Sequence, residues 1–163
     1  MLIEPESLIA GFAAAADLVG MEGWPCVLRA ETLRAPHKPP ALPPGHGAVY
    51  VFALSDAYGG ATPAGSKTVL KVGRVGPQSA PRFTYQHYNP AAAGSTLAGS
   101  LLAYPVLWPW LGITRLTAAD VKNWMRANLD RAHIFVPAGH DYVLRSLELY
   151  VRARVGSVYE GAA

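Results

Sequence analysis

The chain reads as a mixed α/β (α+β) domain, with a small three-stranded antiparallel sheet flanked by helices and an extra helix in front. Three observations carry that expectation. Hydrophobic residues make up 51% of 163 and charged residues only 15%, enough apolar surface for one packed core and too little charge for a disordered chain. Two strand-like runs, AVYVFAL at 48–54 and KTVLKVGR at 67–74, flank the glycine-rich turn YGGATPAG. Apolar stripes at helical spacing occupy both ends of the chain.

Residues 5–20 come first. LIAGFAAAADLV resembles a secretory signal core, but Glu4 and Glu6 precede it, Asp17 interrupts it and the first basic residue is Arg29. A signal peptide starts positively charged, so the segment reads as an amphipathic helix built on Leu8, Ile9, Phe12 and Val19, with Pro5 tolerated in its first turn. No run approaches the ~18 apolar residues of a membrane span, and no membrane partner is expected. Residues 1–34 are assigned to this helical extension. Residues 35–46, APHKPPALPPGH, carry five prolines and read as an extended linker. The main domain is placed at 47–163.

Within it the two strands and their long loop form a hairpin. SAPRFTYQHY then opens a helix with Ser79 as cap and Pro81 in the first turn. GSTLAGSLLAY reads as a second helix capped by Ser95 or Thr96. In LTAADVKNWMRANL a Thr117-x-x-Asp120 capping box precedes Val121, Trp124 and Met125 on one face. RAHIFVPA is a short strand ended by Pro137, and HDYVLRSLELYVRARVG is the last helix, stopped by Gly156.

One cysteine, Cys26, leaves no internal disulfide and no Cys-rich zinc pattern, and implies a reducing, cytoplasmic setting. The histidines at 37, 46, 87, 133 and 140 show no paired ligand spacing. Net charge is +3, but its distribution is uneven. From Asp56 to Asp120 run 63 residues without a carboxylate, carrying Lys67, Lys71, Arg74, Arg82 and Arg115. Cations gathered from such a stretch suit a phosphate-bearing partner; the plainer reading is a solvated basic face.

Four pieces of sequence, in order, resemble the GIY-YIG nuclease superfamily over about residues 47–161. Ala48-Val49-Tyr50 stands at the first strand motif and Lys71-Val72-Gly73 at the second. PRFTYQHY supplies the helix arginine, Arg82, with Tyr85 and His87 after it. LELYVRARVGSVYEG supplies a helix glutamate, Glu148, followed by Tyr159. Ala48 stands in place of the first motif's glycine, and Lys71 in place of the second motif's tyrosine.

The resemblance implies a divalent-metal-dependent endonuclease hydrolysing DNA phosphodiesters, with RNA left open. Glu148 would ligate Mg²⁺ or Mn²⁺, a hard cation suited to one carboxylate plus water and phosphate oxygens. The alternative for Glu148 is a surface carboxylate paired with Arg145 and Arg152. Arg82 would clamp the phosphate, and Tyr50 would position or deprotonate the water. Lys71, on the neighbouring strand, would lower the Tyr50 pKa. His87 would orient water or protonate the leaving group. Lys67, Arg74, Tyr85 and Arg115 would contact nucleic acid. Two further readings remain open: a binding module of the same fold without cleavage, and a protein-interaction domain. The N-terminal helix is expected to dock on the main domain, on a second copy or on an accessory protein, because a lone helix this short is marginal in water.

Overall fold

The structure, a computed structural model, describes residues 4–58, 64 and 68–159. It is an α+β fold around one antiparallel sheet, with four strands instead of the three expected. These are β1 (Arg29–Leu33), β2 (His46–Leu54), β3 (Val69–Val75) and β4 (Leu129–Pro137), in the order β1-β4-β2-β3. The additional strand is β1, paired along its length with β4 from Arg29↔Phe135 to Leu33↔Arg131. Its sequence, RAETL, has neither an apolar run nor clean alternation. It is an edge strand with one side open to solvent, so no strong pattern is required of it.

Among the described residues six α-helices cover the two faces: α1 (Pro5–Val19), α2 (Ala80–Thr84), α3 (Leu97–Ala103), α4 (Trp108–Leu111), α5 (Val121–Asn128) and α6 (Asp141–Val155). Strand alternation sorts the core into two layers. Ala48, Tyr50, Phe52 and Leu54 point to the layer roofed by α3 and α5 with Phe83, Leu101 and Met125. Val49, Val51 and Ala53 point to the other, where they meet Phe12 and Ala16 of α1 and Leu147 and Val151 of α6. The apolar face of α1 is thus covered by the chain's own sheet and by α6. Among the described residues no helix is long and apolar enough to cross a membrane.

The proline segment is packed down, not free. The backbone N–H of His37 donates to the carbonyl of Arg126 (3.1 Å), Arg34 pairs with Asp130 at 3.0 Å, and Leu42 and Pro40 are buried. Prolines fix an extended course, and here that course carries the chain from β1 across the domain to β2.

Local signals were obeyed unevenly. Thr96, not Ser95, caps α3 by accepting from the Gly99 N–H at 3.0 Å. Ser79 makes no side-chain cap, and α2 lasts only to Thr84 before a 3₁₀ turn at Gln86–Tyr88. Thr117 and Asp120 hydrogen-bond to each other side chain to side chain. After α6, Gly156 turns the chain back with φ +62°, and the N–H groups of Val158 and Tyr159 donate to the carbonyls of Val69 and Leu70. The start of the β3 edge is covered in this way, while its later residues lie along a cleft.

Candidate active site at the open edge of the sheet

Tyr50 and Gly73 are directly opposed across β2 and β3. Without a side chain on Gly73, the Tyr50 ring leans over β3: a Cβ at Gly73 would stand 2.6 Å from the ring's Cζ and closer still to the hydroxyl. Glycine is therefore required here for close approach, and it brings the hydroxyl of a 1% exposed tyrosine to the sheet edge. Next along the same face, opposite Phe52, is Lys71, also buried, whose Nζ donates to Ser95 Oγ at 2.7 Å.

Arg74 points to the opposite face, toward α6, and its Nη1 donates to Glu148 Oε2 at 2.8 Å. The expected alternative partners of Glu148, Arg145 and Arg152, are not its bonded cation; a β3 residue is. Arg82 reaches over from α2. A Cβ at Gly94, in the loop after α2, would lie 3.0 Å from Arg82 Nη1, and this residue sits at φ +83°, so glycine is doubly favoured there.

Tyr50, Lys71, Gly73, Arg74, Arg82, Ser95, Glu148 and Arg152 line one cleft of about 270 Å³, wrapped around the β3 edge between α2 and α6. Among the described residues four cations face one carboxylate there, a formal +3. A concavity this small and this charged suits an anionic group such as a phosphate better than a whole apolar ligand.

The electrostatics overturn one expectation. Burial pushes the Tyr50 phenol up to about 12, against the opposing pull of the nearby charges of Arg82 and Arg131. Arg82 and Arg131, not Lys71, are the cations that weigh most on this group. Tyr50 is a neutral hydroxyl across the ordinary pH range.

His87 is not in the cleft either. It is fully buried behind Tyr50, ring centroids 4.6 Å apart. Burial, and then the charges of Arg131, Lys71 and Arg82, pull it down to about 2. Neither ring nitrogen has a hydrogen-bond partner among the described residues. A neutral imidazole walled in this way packs the tyrosine and does not hand protons to a cleft. Tyr85 is exposed, and Arg115 is exposed on the connection between α4 and α5; neither lines the cleft. Lys67 lies outside the described residues.

Arg131 escaped the sequence reading. It is completely buried, with its guanidinium 4.4 Å from the centre of the Phe83 ring, 4.9 Å from Phe52 and 5.8 Å from Tyr50. Its Nη2 donates to the Phe83 carbonyl at 2.6 Å. Aromatic faces and a carbonyl offset part of a desolvation cost of several kcal/mol. The residue ties α2, which carries Arg82, to the sheet beneath Tyr50. Ser95 and Arg152 were likewise unrecognised as cleft residues. Only the four-residue spacing from Glu148 to Arg152 on one helix face pointed to the latter.

Among the described residues no three His, Cys, Asp or Glu side chains gather into a metal cage. Asp141 and Glu148 are seven residues apart on α6, about 10.5 Å of helix rise, too far for a shared two-metal clamp. Among the described residues the cleft offers one carboxylate, of which Oε2 is bonded to Arg74. No protein-family model, curated protein or solved structure matches the chain.

Proposed function

We propose that the cleft binds a phosphodiester of DNA and hydrolyses it as a GIY-YIG-type, divalent-metal-dependent endonuclease. The observation that carries this reading is one carboxylate, Glu148, set among Lys71, Arg74, Arg82 and Arg152 beside the Tyr50 hydroxyl at an open strand edge.

Each residue has a part that follows from its surroundings. Arg82 offers a planar set of donors to the non-bridging phosphate oxygens and stabilises charge as it builds. Tyr50, kept protonated by burial, holds the attacking water or a phosphate oxygen by hydrogen bonding and does not remove a proton. The ring of His87, packed against it at 4.6 Å between centroids, fixes its orientation. Lys71, anchored on Ser95, places a fixed positive charge in the cleft.

Glu148 fits a singly anchored Mg²⁺ or Mn²⁺. It is a hard oxygen donor with one oxygen outside the Arg74 bond; the surrounding cations oppose a metal on its own, so a metal would bind together with the phosphate that offsets them. A cation held there supplies Lewis-acid charge and makes water more acidic. The second reading, a nucleic-acid-binding module without cleavage, draws on the same ion pair, because Arg74 already occupies part of the carboxylate.

Nicking of supercoiled plasmid separates the two. Relaxed circles that appear with Mg²⁺ or Mn²⁺ and vanish with EDTA support the endonuclease. Salt-sensitive binding without nicking under any divalent metal supports the binding module.

A further inference from the structure

Beside the first cleft lies a second, of about 340 Å³, which shares Arg74 and Arg82 with it and adds Gly76, Ser79, Asp141 and Arg145. The two cavities are therefore neighbours that have Arg74 and Arg82 in common. An arginine carries five N–H donors, more than one phosphate can take. Arg82, and Arg74 beyond the donor it gives to Glu148, can accordingly offer donors to an anion in each cleft.

The far side of the second cleft is α6. Arg145, Glu148 and Arg152 fall at i, i+3 and i+7, one stripe of that helix, with Arg145 in the second cleft and Arg152 in the first. These two arginines are about 10.5 Å apart along the helix axis. Two seats call for two phosphate groups, and a lone phosphate fills one.

The floor of the second cleft is accessible. Nothing lies within 4 Å of where a Cβ would stand on Gly76, and the Ser79 side chain makes no cap bond to α2. Asp141, in the first turn of α6, is the one carboxylate on its wall among the described residues. With Arg74 held by Glu148, Arg82 and Arg145 still outweigh it. Its charge disfavours an anion at that end and leaves the seat nearer Arg145, Arg74 and Arg82.

We infer that this second cleft is the seat of a phosphate neighbouring the scissile one on the same strand, with Arg145 as its specific ligand. The inference rests on the phosphodiester reading of the first cleft and extends it. The ligand is a strand bearing consecutive phosphodiesters, engaged at two adjacent points, and not a nucleotide or a single phosphate monoester.

A scan of oligonucleotides, each with one phosphodiester replaced by a neutral methylphosphonate, tests this. Replacement at one position flanking the cleaved bond lowers the wild-type kcat/KM about tenfold, the size expected for losing one charge-assisted contact. Arg145→Ala loses about tenfold on the unmodified strand and nothing more at that position; Arg145→Lys recovers part of the loss. Asp141→Asn binds the unmodified strand more tightly. A wild type indifferent to both flanking replacements, or an Arg145→Ala variant that still loses tenfold on replacement, overturns the assignment. The same scan read as Kd by fluorescence anisotropy separates the two proposals. If no strand is cut, the endonuclease reading fails, while the coupling between Arg145 and one phosphate is still found or not found in binding.

Discussion

Lowering the pH from 7.5 to 5 should cost this fold about 4 kcal/mol, through two histidines outside the cleft. His87 lies wholly buried against Tyr50 and Phe52, and burial holds it near pKa 2. His133, equally buried between Phe83 and Phe135, is held near 4, because burial outweighs its 3.4 Å contact with Glu31. In the unfolded chain both titrate near 6.5. Both folded values are depressed, so the stability they contribute is fully present above about pH 6.5 and is lost as pH falls, because the unfolded chain then binds protons the fold excludes. At pH 5, about 1.5 units below 6.5, each contributes a loss of about 2 kcal/mol at 1.36 kcal/mol per unit. His37, depressed by burial, acts with the same sign. Glu31, whose pKa His133 holds down, adds its own loss as the pH falls into the ordinary carboxylate range and below, where the unfolded carboxylate protonates first. Against a typical total of 5–15 kcal/mol, the effect is large. Urea unfolding at the two pH values, at fixed ionic strength, measures it. His87→Leu should shrink the pH-dependent loss by about 2 kcal/mol, whatever that substitution does at pH 7.5. A total loss below 1 kcal/mol, or one unchanged in His87→Leu, refutes the reasoning and means that these rings accept protons inside the fold.

Arg82→Ala should lower cleavage at least a hundredfold while weakening DNA binding less than tenfold, because a clamp that tightens as charge develops acts mainly on rate; single-turnover rates set beside anisotropy Kd values check this. Gly73→Ala puts a methyl into the Tyr50 ring, so it should destabilise the fold by about 1–3 kcal/mol and abolish cleavage, both readable by thermal melts and nicking. Removing residues 1–44 deletes β1 and uncovers the sheet face that α1 packs on. With about 1.5–3 kcal/mol for each large side chain such as Phe12 or Leu8, the truncated chain should fail to give a cooperative melt.

The parts legible in the sequence were those governed by local chemistry. The α1 and α6 spans, the β2–β3 hairpin and the Pro137 end of β4 follow from periodicity and from residues that start or stop elements. What was not legible depended on distant partners. RAETL becomes a strand only because β4 offers an edge, and the proline segment looks like a linker until Arg126 and Asp130 meet it.

The candidate site divides in the same way. Tyr50, Lys71, Arg74, Arg82 and Glu148 stood out by type and order, and the fold brings them to one cleft. Sequence does not report burial, however, and burial decides that Tyr50 stays protonated and that His87 is a packing group. Arg131 was hidden for the same reason, since an arginine at the start of an apolar strand looks like a solvent-facing residue.

The most direct test of the central claim is to measure binding and cleavage together in wild type and Glu148→Gln. The substitution keeps the side chain's size and removes its charge. With Mg²⁺ or Mn²⁺, the wild type should nick plasmid, and Glu148→Gln should bind DNA within about threefold of wild type yet cleave at least a hundredfold more slowly. Glu148→Gln cleaving at the wild-type rate contradicts the assignment of this cleft as the catalytic centre.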